Sequence, residues 1–489
     1  MTTVNHRTVS DLGTTGARLL ADTAYWSWML REVLLPSGDL LFGQRMIKRL
    51  RFLEQAQWWN RERLYAARDQ LLRSTIDIAY REVPFYRNLM QNAGIEPADV
   101  RTVHDLRKLP VVTKQMLSNG YPEQTVRKTG WRSYEECTSG STGTNLRVRT
   151  DTETEGWYRA SLLLALEWAG WKIGERHLQT GMTTRRGIMR TLKDALLGCY
   201  YVSAYELSDV CLDRMLEILE RKRVSHVWGY PGSVYFLARR ARQTGWTTPL
   251  RSVVTWGDML YQHYRREIQA VFKTRVFDTY GCAEGMQIAA QCGRGEDYHI
   301  HALDVVVECV DENDNSVGCN ETGNLVLTRL HPGPMPLIRY RVGDVGRLAN
   351  DRVCACGRGF DLLETIEGRD TDVITSPAGN RLIVHFFTGV LEHFPEITSF
   401  QVVHESLASV VLRLVPGKGF TDEVSARAVS MLKSKGAFDL DFRVEVVDEI
   451  TLPSSGKRRF IISQLAGQGQ SNRGDAGRTD DAAAPANNL

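Results

Sequence analysis

Apolar residues between about 130 and 365 fall in short runs separated by longer amphipathic stretches. Examples of the runs are 226–230 (HVWGY), 252–256 (SVVTW) and 275–279 (RVFDT). Runs of this length, rich in β-branched and aromatic residues, are typical of buried strands, and the stretches between them have helical periodicity. Strands that alternate with helices predict an α/β fold in which helices cover the sheets.

The first 130 residues have a different pattern, which predicts a helical N-terminal section. Within residues 15–92, Trp26, Trp28, Trp58 and Trp59 stand among charged residues at roughly helical spacing. Such a face either packs on a neighbouring domain or lies on a membrane surface. We expect it to pack on the main body, which would occupy residues 131–367.

A second change in pattern, near Gly368, predicts a small α+β domain over residues 368–466. Strands are expected at 399–404, 409–415 and 442–447, with a helix at 421–435. We expect this C-terminal domain to act as a mobile lid on the larger one. Residues 467–489 are small or polar with almost no large apolar side chains, which predicts a disordered tail.

Composition excludes several classes of protein. The formal net charge of +3 over 489 residues is too small to favour nucleic acid or an anionic membrane as the main partner. The sequence shows neither a signal peptide nor an integral membrane segment, and nine scattered cysteines suit reduced thiols, so we expect a cytoplasmic protein.

One loop of small residues is the first candidate for chemistry. It consists of Thr138, Ser139, Gly140, Ser141, Thr142 and Gly143, between two strand-like segments. Backbone N–H groups and hydroxyls in such a loop can approach phosphate oxygens closely, because no bulky side chain intervenes. It is not a Walker loop, since no Gly-Lys-Ser/Thr closes it, and a flexible linker is the alternative.

Further motifs follow in the chain. Gly281 permits a tight turn that leads to Glu284, whose carboxylate is a hard ligand suited to Mg²⁺. Asp344 follows a glycine and could accept both hydroxyls of a ribose. Lys457 lies on a glycine-containing loop near the end of the folded chain.

The order of these motifs resembles the adenylate-forming superfamily of acyl-CoA synthetases, luciferases and nonribosomal adenylation domains. The chain is most similar to the phenylacetate–CoA ligase family, in its capsule-biosynthesis and coenzyme F390 synthetase-like branch. The resemblance covers roughly residues 75–463. Its anchors are TSGSTGTN (138–145), WGDML (256–260), YGCAEG (280–285), RYRVGD (339–344), GRDTD (368–372) and PSSGK (453–457).

The resemblance implies a two-step ligase that uses ATP, Mg²⁺ and coenzyme A. A carboxylate attacks the α-phosphate of ATP, and a thiol then displaces AMP from the acyl-adenylate. The 138–143 loop would hold the β- and γ-phosphates. Gly257 and Asp258 would contact the adenine, and Tyr280 would stack on it. Glu284 would bind Mg²⁺, and Asp344 would bind the ribose. Arg369 would contact the phosphates, and Lys457 would bridge the carboxylate and the α-phosphate.

Three segments depart from the family pattern. One is Gly323-Asn324, where the family often has Gly-Glu before a strand. Many relatives have Lys-Pro after the phosphate loop, where this chain has Thr144-Asn145, so one phosphate-binding charge is missing. The usual hinge Asp or Lys falls at Thr371. A compact lysine charge on a lid can be delivered for the first step and withdrawn for the second, so Lys457 remains the expected catalytic cation.

A separate group of cysteines and histidines predicts a structural Zn²⁺ site. Cys354 and Cys356 form a tight pair, and Cys292 and His299 lie upstream. Two short-range pairs separated by a long stretch are typical of tetrahedral sites with four N/S ligands. Reduced side chains in an ordinary loop are the alternative.

The substrate is expected to be a small carboxylic acid. Aromatic residues at 228, 230, 235 and 256 favour an aryl acid, although buried aromatics fill cores more often than they contact substrates. Three readings stay open: a CoA ligase, an adenylating enzyme that transfers the acyl group to an amine or hydroxyl of a saccharide or cofactor, and an inactive binding protein. The capsule-biosynthesis resemblance adds polysaccharide biosynthesis as a setting, and a homodimer is left open.

Overall fold

The computed structural model describes most of the chain. The described residues are 24–128, 133–137, 146–181, 187–204, 206–349, 352–367, 374–378, 380–382, 384–391, 393–450 and 461–463. The phosphate loop 138–143, the expected hinge at 371, and the residues Arg369 and Lys457 therefore lie outside the described part.

Helices dominate the N-terminal section. Residues 24–29 are helical and continue into a π-helical turn, Leu30–Leu34. The helices that follow are α1 (Leu35–Phe42), α2 (Met46–Ala56), α3 (Arg61–Glu82), α4 (Pro84–Asn92) and α5 (Lys114–Asn119), with 3₁₀ turns at Pro97–Asp99 and Val103–Lys108. Asn60 caps α3 by accepting a hydrogen bond from the Arg63 backbone N–H at 3.0 Å, and Pro84 both ends α3 and begins α4.

These helices are packed on the main body. Leu50, Leu53 and Leu64 share one core with Ala160 and Leu164 of the long helix α6 (Thr152–Trp168). Before α6, the strands β1 (Ser133–Cys137) and β2 (Arg147–Asp151) pair antiparallel, so the two strand-like segments on either side of residues 138–143 are confirmed as strands.

An eleven-stranded sheet forms the centre of the larger domain. Its parallel half contains β3 (His177–Gly181), β4 (Cys199–Ser203), β5 (His226–Gly229), β6 (Ser252–Thr255) and β7 (Val276–Cys282), with helices α7 (Ile188–Leu196), α8 (Asp209–Arg221), α9 (Pro231–Gln243) and α10 (Gln262–Phe272) between them. Its antiparallel half contains β8 (Met286–Gln291), β9 (Tyr298–Ile300), β10 (Val305–Val310), β11 (Gly323–Arg329), β12 (Tyr340–Leu348) and β13 (Leu362–Glu367). The strand order is β10-β11-β12-β13-β9-β8-β7-β6-β5-β3-β4, so β4 lies at one free edge.

The C-terminal residues form a second, smaller α+β unit. It consists of β14 (Ile374–Thr375), β15 (Arg381–Leu382), α11 (Val384–Leu391), β16 (Ile397–His404), β17 (Ser409–Pro416), α12 (Asp422–Leu432), a π-helical turn (Lys433–Ala437), β18 (Asp441–Val446) and β19 (Ile461–Ser463). Four of its strands form a sheet in the order β18-β17-β16-β19. The predicted α/β class with a C-terminal domain is thus confirmed. None of the described helices is both long and apolar enough to cross a bilayer.

Candidate functional site

The candidate nucleotide site lies at the carboxyl ends of neighbouring parallel strands, which is where open α/β sheets bind ligands. Tyr230 follows β5, Gly257 and Asp258 follow β6, and Tyr280 lies near the end of β7. Gly257 has φ +75°, and a Cβ there would lie 2.7 Å from the Tyr230 ring. Only glycine fits this turn without moving the tyrosine.

Tyr280 and Asp344 are joined directly. The Tyr280 hydroxyl donates a hydrogen bond of 2.8 Å to Oδ2 of Asp344, which lies on β12. Burial and the neighbouring carboxylate raise the pKa of Tyr280 well above its ordinary value, so the phenol keeps its proton and stays a donor. The bond fixes the ring and the carboxylate relative to each other, as an adenine-stacking residue and a ribose acceptor require.

Glu284 occupies the turn between β7 and β8 and is almost fully buried. Its Oε1 accepts a 2.6 Å hydrogen bond from the Tyr340 hydroxyl and lies 3.6 Å from the Lys114 ammonium. Gly281, three residues earlier, allows the close approach of β8, because a Cβ there would lie 2.9 Å from the Met286 carbonyl. The Lys114 ammonium balances the charge of this buried carboxylate, and the carboxylate offers a hard oxygen ligand of the kind that Mg²⁺ takes.

Lys114 is a residue that sequence reasoning missed. Thr113 begins α5 by capping the Met116 N–H, and Val112 forms a bridge with Tyr340. This bridge carries Lys114 to Glu284 from a distant part of the chain. No local pattern around Lys114 indicates such a role, because its position depends on the pairing of Val112 with β12.

The four predicted zinc ligands meet at the other end of β8. Cys292 follows β8, His299 lies on β9, and Cys354 and Cys356 lie between β12 and β13. β9 pairs with β8 on one side and with β13 on the other, which brings these segments together. All four ligand atoms lie within 4.8 Å of one another.

The distances inside this cluster fit a tetrahedral metal better than a disulfide. The Cys292 and Cys354 sulfurs are 3.6 Å apart, and Cys356 Sγ lies 3.3 Å from His299 Nε2. Nitrogen and sulfur ligands of tetrahedral zinc are about 3.3–3.8 Å apart, whereas bonded sulfurs are about 2.05 Å apart. Burial and the Arg358 charge lower the pKa of His299 to about 4, so its imidazole is neutral, as a metal ligand must be.

The cluster lies far from the candidate nucleotide site. The six residues of β8 separate Cys292 from the Glu284 turn, which corresponds to about 20 Å of extended chain. Four protein ligands also leave no open coordination position. Both observations favour a structural metal over a catalytic one.

The N-terminal helices form hydrogen bonds with the loop that follows Cys356. The Gln57 side-chain oxygen accepts hydrogen bonds of 2.8 Å from both Trp168 Nε1 and Arg358 Nε, and the Gln57 carbonyl accepts from the Gly359 N–H. Asp361 accepts hydrogen bonds from Tyr65 and Arg68 of α3. The loop that follows Cys356 thus joins the N-terminal section to the central sheet.

The predicted acyl-pocket aromatics separate into two groups. Trp228 stacks on His177, with ring centroids 3.7 Å apart, and meets Trp171 edge-on, so it belongs to the core. Tyr235 stacks on Tyr264 on the helical side of the sheet. Tyr230 borders the candidate nucleotide site, through its contact at Gly257.

Comparisons with known proteins agree with this arrangement. A family model described as the CapK C-terminal domain matches residues 374–464. A phenylacetate–coenzyme A ligase of Escherichia coli (strain K12) is 26% identical over 64% of this chain and 72% of that protein. Protein CapK of Staphylococcus aureus is 21% identical over 78% of this chain and 85% of its own length.

A solved structure shares the fold. The structure of 2-hydroxyisobutyryl-CoA ligase, in complex with 2-HIB-AMP and CoA in the thioesterification state, covers 86% of this chain and 94% of its own. The TM-score is 0.59 and the sequence identity is 18%. At that identity the likeness concerns the fold alone.

Proposed function

The chain belongs to the adenylate-forming superfamily, in the family of phenylacetate–coenzyme A ligases and CapK-like proteins, and from this we propose that it is an AMP-forming acid–CoA ligase. An oxygen of the acid's carboxylate would attack the α-phosphorus of ATP as the bond to pyrophosphate breaks. The sulfur of coenzyme A would then attack the carbonyl carbon of the acyl-adenylate as AMP leaves.

One observation supports the proposal above the others. Glu284, Lys114 and Tyr340 form a buried charged cluster next to the Tyr280–Asp344 pair, at the carboxyl edge of the parallel strands. Nucleotidyl transfer needs positioned groups and balanced charge more than covalent help from the protein. A core that needed only stability would seldom retain so many polar groups in one place.

The described residues would bind and orient the nucleotide. Asp344 would accept the ribose hydroxyls while Tyr280 stacks on the adenine, and Gly257 and Asp258 would line the edge of the base. Mg²⁺, held by Glu284, would neutralise phosphate charge. The hydroxyls and N–H groups of the 138–143 loop would hold the terminal phosphates. Arg369 and Lys457 would complete the charge around the reacting carboxylate.

The acid is proposed to be an aryl acid. The supporting observation is that Tyr230 borders the candidate nucleotide site, while Trp228 and Tyr235 pack elsewhere. A panel of aryl and short aliphatic acids distinguishes these classes through the rate of pyrophosphate release.

A second candidate function differs from the first only in the molecule that accepts the acyl group. The family model that matches residues 374–464 is the C-terminal domain of CapK, not that of a CoA ligase. We therefore keep transfer of the acyl group to an amine or hydroxyl, for example on a saccharide, as the alternative to thioester formation.

The decisive experiment measures pyrophosphate release with the acid panel, with and without coenzyme A. We expect release with at least one acid and a thioester only when coenzyme A is present. Lys457→Ala should abolish release, and Lys435→Ala, a lysine elsewhere on the same domain, should not. Release without a thioester would favour the second candidate, and no release with any acid would contradict both.

A further inference from the structure

Helix α7 presents its apolar face to solvent. Ile188, Met189, Leu192 and Leu196 fall on one side of the helix and are 88%, 72%, 53% and 38% exposed. Asp194, on the opposite side, is partly buried. This orientation is the reverse of that of an ordinary surface helix, which buries its apolar side. An exposed apolar face of this kind marks an interaction site.

A second exposed apolar segment adjoins this helix. Tyr25 and Trp28 are 62% and 55% exposed, and their rings stack at 6.0 Å. Between them in sequence, Trp26 donates a hydrogen bond from Nε1 to the Leu196 carbonyl, which ties the two segments together. We call the combined surface the apolar ridge; it comprises Tyr25, Trp28, Ile188, Met189, Leu192 and Leu196.

Positive charge accompanies the ridge. In the sequence from 182 to 198 there are four cations against the single acid Asp194: Arg190 and Lys193 lie on the helix, and Arg185 and Arg186 precede it in the sequence, outside the described residues. The net charge of this segment, +3, equals that of the whole chain, so the rest of the protein is neutral overall. The small total charge therefore conceals a local concentration of cations.

We propose that the apolar ridge docks the protein on the surface of an anionic lipid bilayer. Apolar side chains would enter the headgroup region, Trp and Tyr rings would lie at the interface that they prefer, and the cations would meet lipid phosphates. A second copy of the chain is a poorer occupant, because it would bring an equally cationic segment to the same place. The surface shares no residue with the proposed ligase site, so it does not depend on the proposed function.

Vesicle flotation of the full-length protein tests the surface. Vesicles of phosphatidylcholine alone are compared with vesicles that also contain phosphatidylglycerol. We expect binding only to the anionic vesicles, weakened at least about tenfold by combining Ile188→Ser, Met189→Ser and Leu192→Ser. Arg190→Gln should weaken binding about fivefold.

Leu192→Ser and Leu407→Ser form a matched pair, since both leucines are 53% exposed and Leu407 lies on the C-terminal domain. Only Leu192→Ser should reduce vesicle binding, and this single change keeps the test valid if the triple variant folds poorly. Equal binding by the two variants, or no binding of the wild type to anionic vesicles, would overturn the proposal. So would a wild-type dimer, seen by sedimentation, that Leu192→Ser dissociates.

Discussion

The Tyr280 hydroxyl and the Asp344 carboxylate are held 2.8 Å apart, which links the end of β7 to β12 beside the candidate nucleotide site. The hydrogen bond engages the phenol hydroxyl of Tyr280, whose ring is 9% exposed, and so fixes the orientation of that ring. It also orients the carboxylate that would accept the ribose.

Tyr280→Phe isolates that bond, because phenylalanine keeps the ring and loses the hydroxyl. A hydrogen bond to a charged group contributes about 1.5–3 kcal/mol, so we expect the KM for ATP to rise about tenfold or more in a pyrophosphate-exchange assay. Tyr65→Phe is the matched control, since it removes a Tyr–Asp hydrogen bond far from the site. An unchanged KM for Tyr280→Phe would contradict the assignment.

Lys114→Met leaves the buried Glu284 carboxylate without its cation. Breaking a buried ion pair from one side costs about 3–5 kcal/mol, so the melting temperature of the nucleotide-free protein should fall. Mg²⁺ with ATP should then stabilise the variant more than the wild type, because it restores positive charge beside Glu284. Lys108→Met removes an exposed pair with Asp105 and should have little effect. Equal melting shifts in both variants would refute this role.

Gly257→Ala tests the close approach of Tyr230. Gly245 has a similar φ, +72° against +75°, but a Cβ added there would meet no atom within 4 Å, whereas one added at Gly257 would meet the tyrosine ring at 2.7 Å. Gly245→Ala therefore measures the backbone strain alone, about 1–2 kcal/mol. We expect Gly257→Ala to slow pyrophosphate release at least about tenfold and Gly245→Ala to leave the rate unchanged. Similar rates would show that the ring contact does not matter.

Cys354→Ser should remove the bound metal if the cluster holds zinc. We expect elemental analysis to find near-stoichiometric zinc in the wild type and in Cys319→Ser, an exposed cysteine outside the cluster, but little in Cys354→Ser. The melting temperature should fall with the zinc content, because a structural metal adds directly to folding free energy. Equal zinc in the two variants would argue against the site.

The sequence was most informative where local pattern decides the outcome. Composition and alternation predict the strands around 226–230, 252–256 and 275–279. They also predict the two paired strands on either side of residues 138–143. The pairing of Cys292 and His299 with Cys354 and Cys356 followed from spacing, and the fold brings their ligand atoms together. Whether a metal binds there stays a prediction.

Contacts between residues that are distant in the sequence could not be predicted from local patterns. Lys114 reaches Glu284 only because Val112 bridges to Tyr340, and nothing near Lys114 in the sequence signals that contact. Trp228 is an aromatic residue of the type expected in an acyl pocket, but its stacking on His177 places it in the core. Side-chain type alone does not distinguish these two environments.

The position of Arg358 has a consequence for tryptophan fluorescence. Its guanidinium lies 4.9 Å from the ring centroids of both Trp58 and Trp168, and it is two residues from Cys356. A rearrangement of the cysteine loop that displaced Arg358 would move a cation away from two indoles and change their emission. The protein therefore contains an intrinsic fluorescent reporter of the state of its cysteine cluster, which requires no added dye or label.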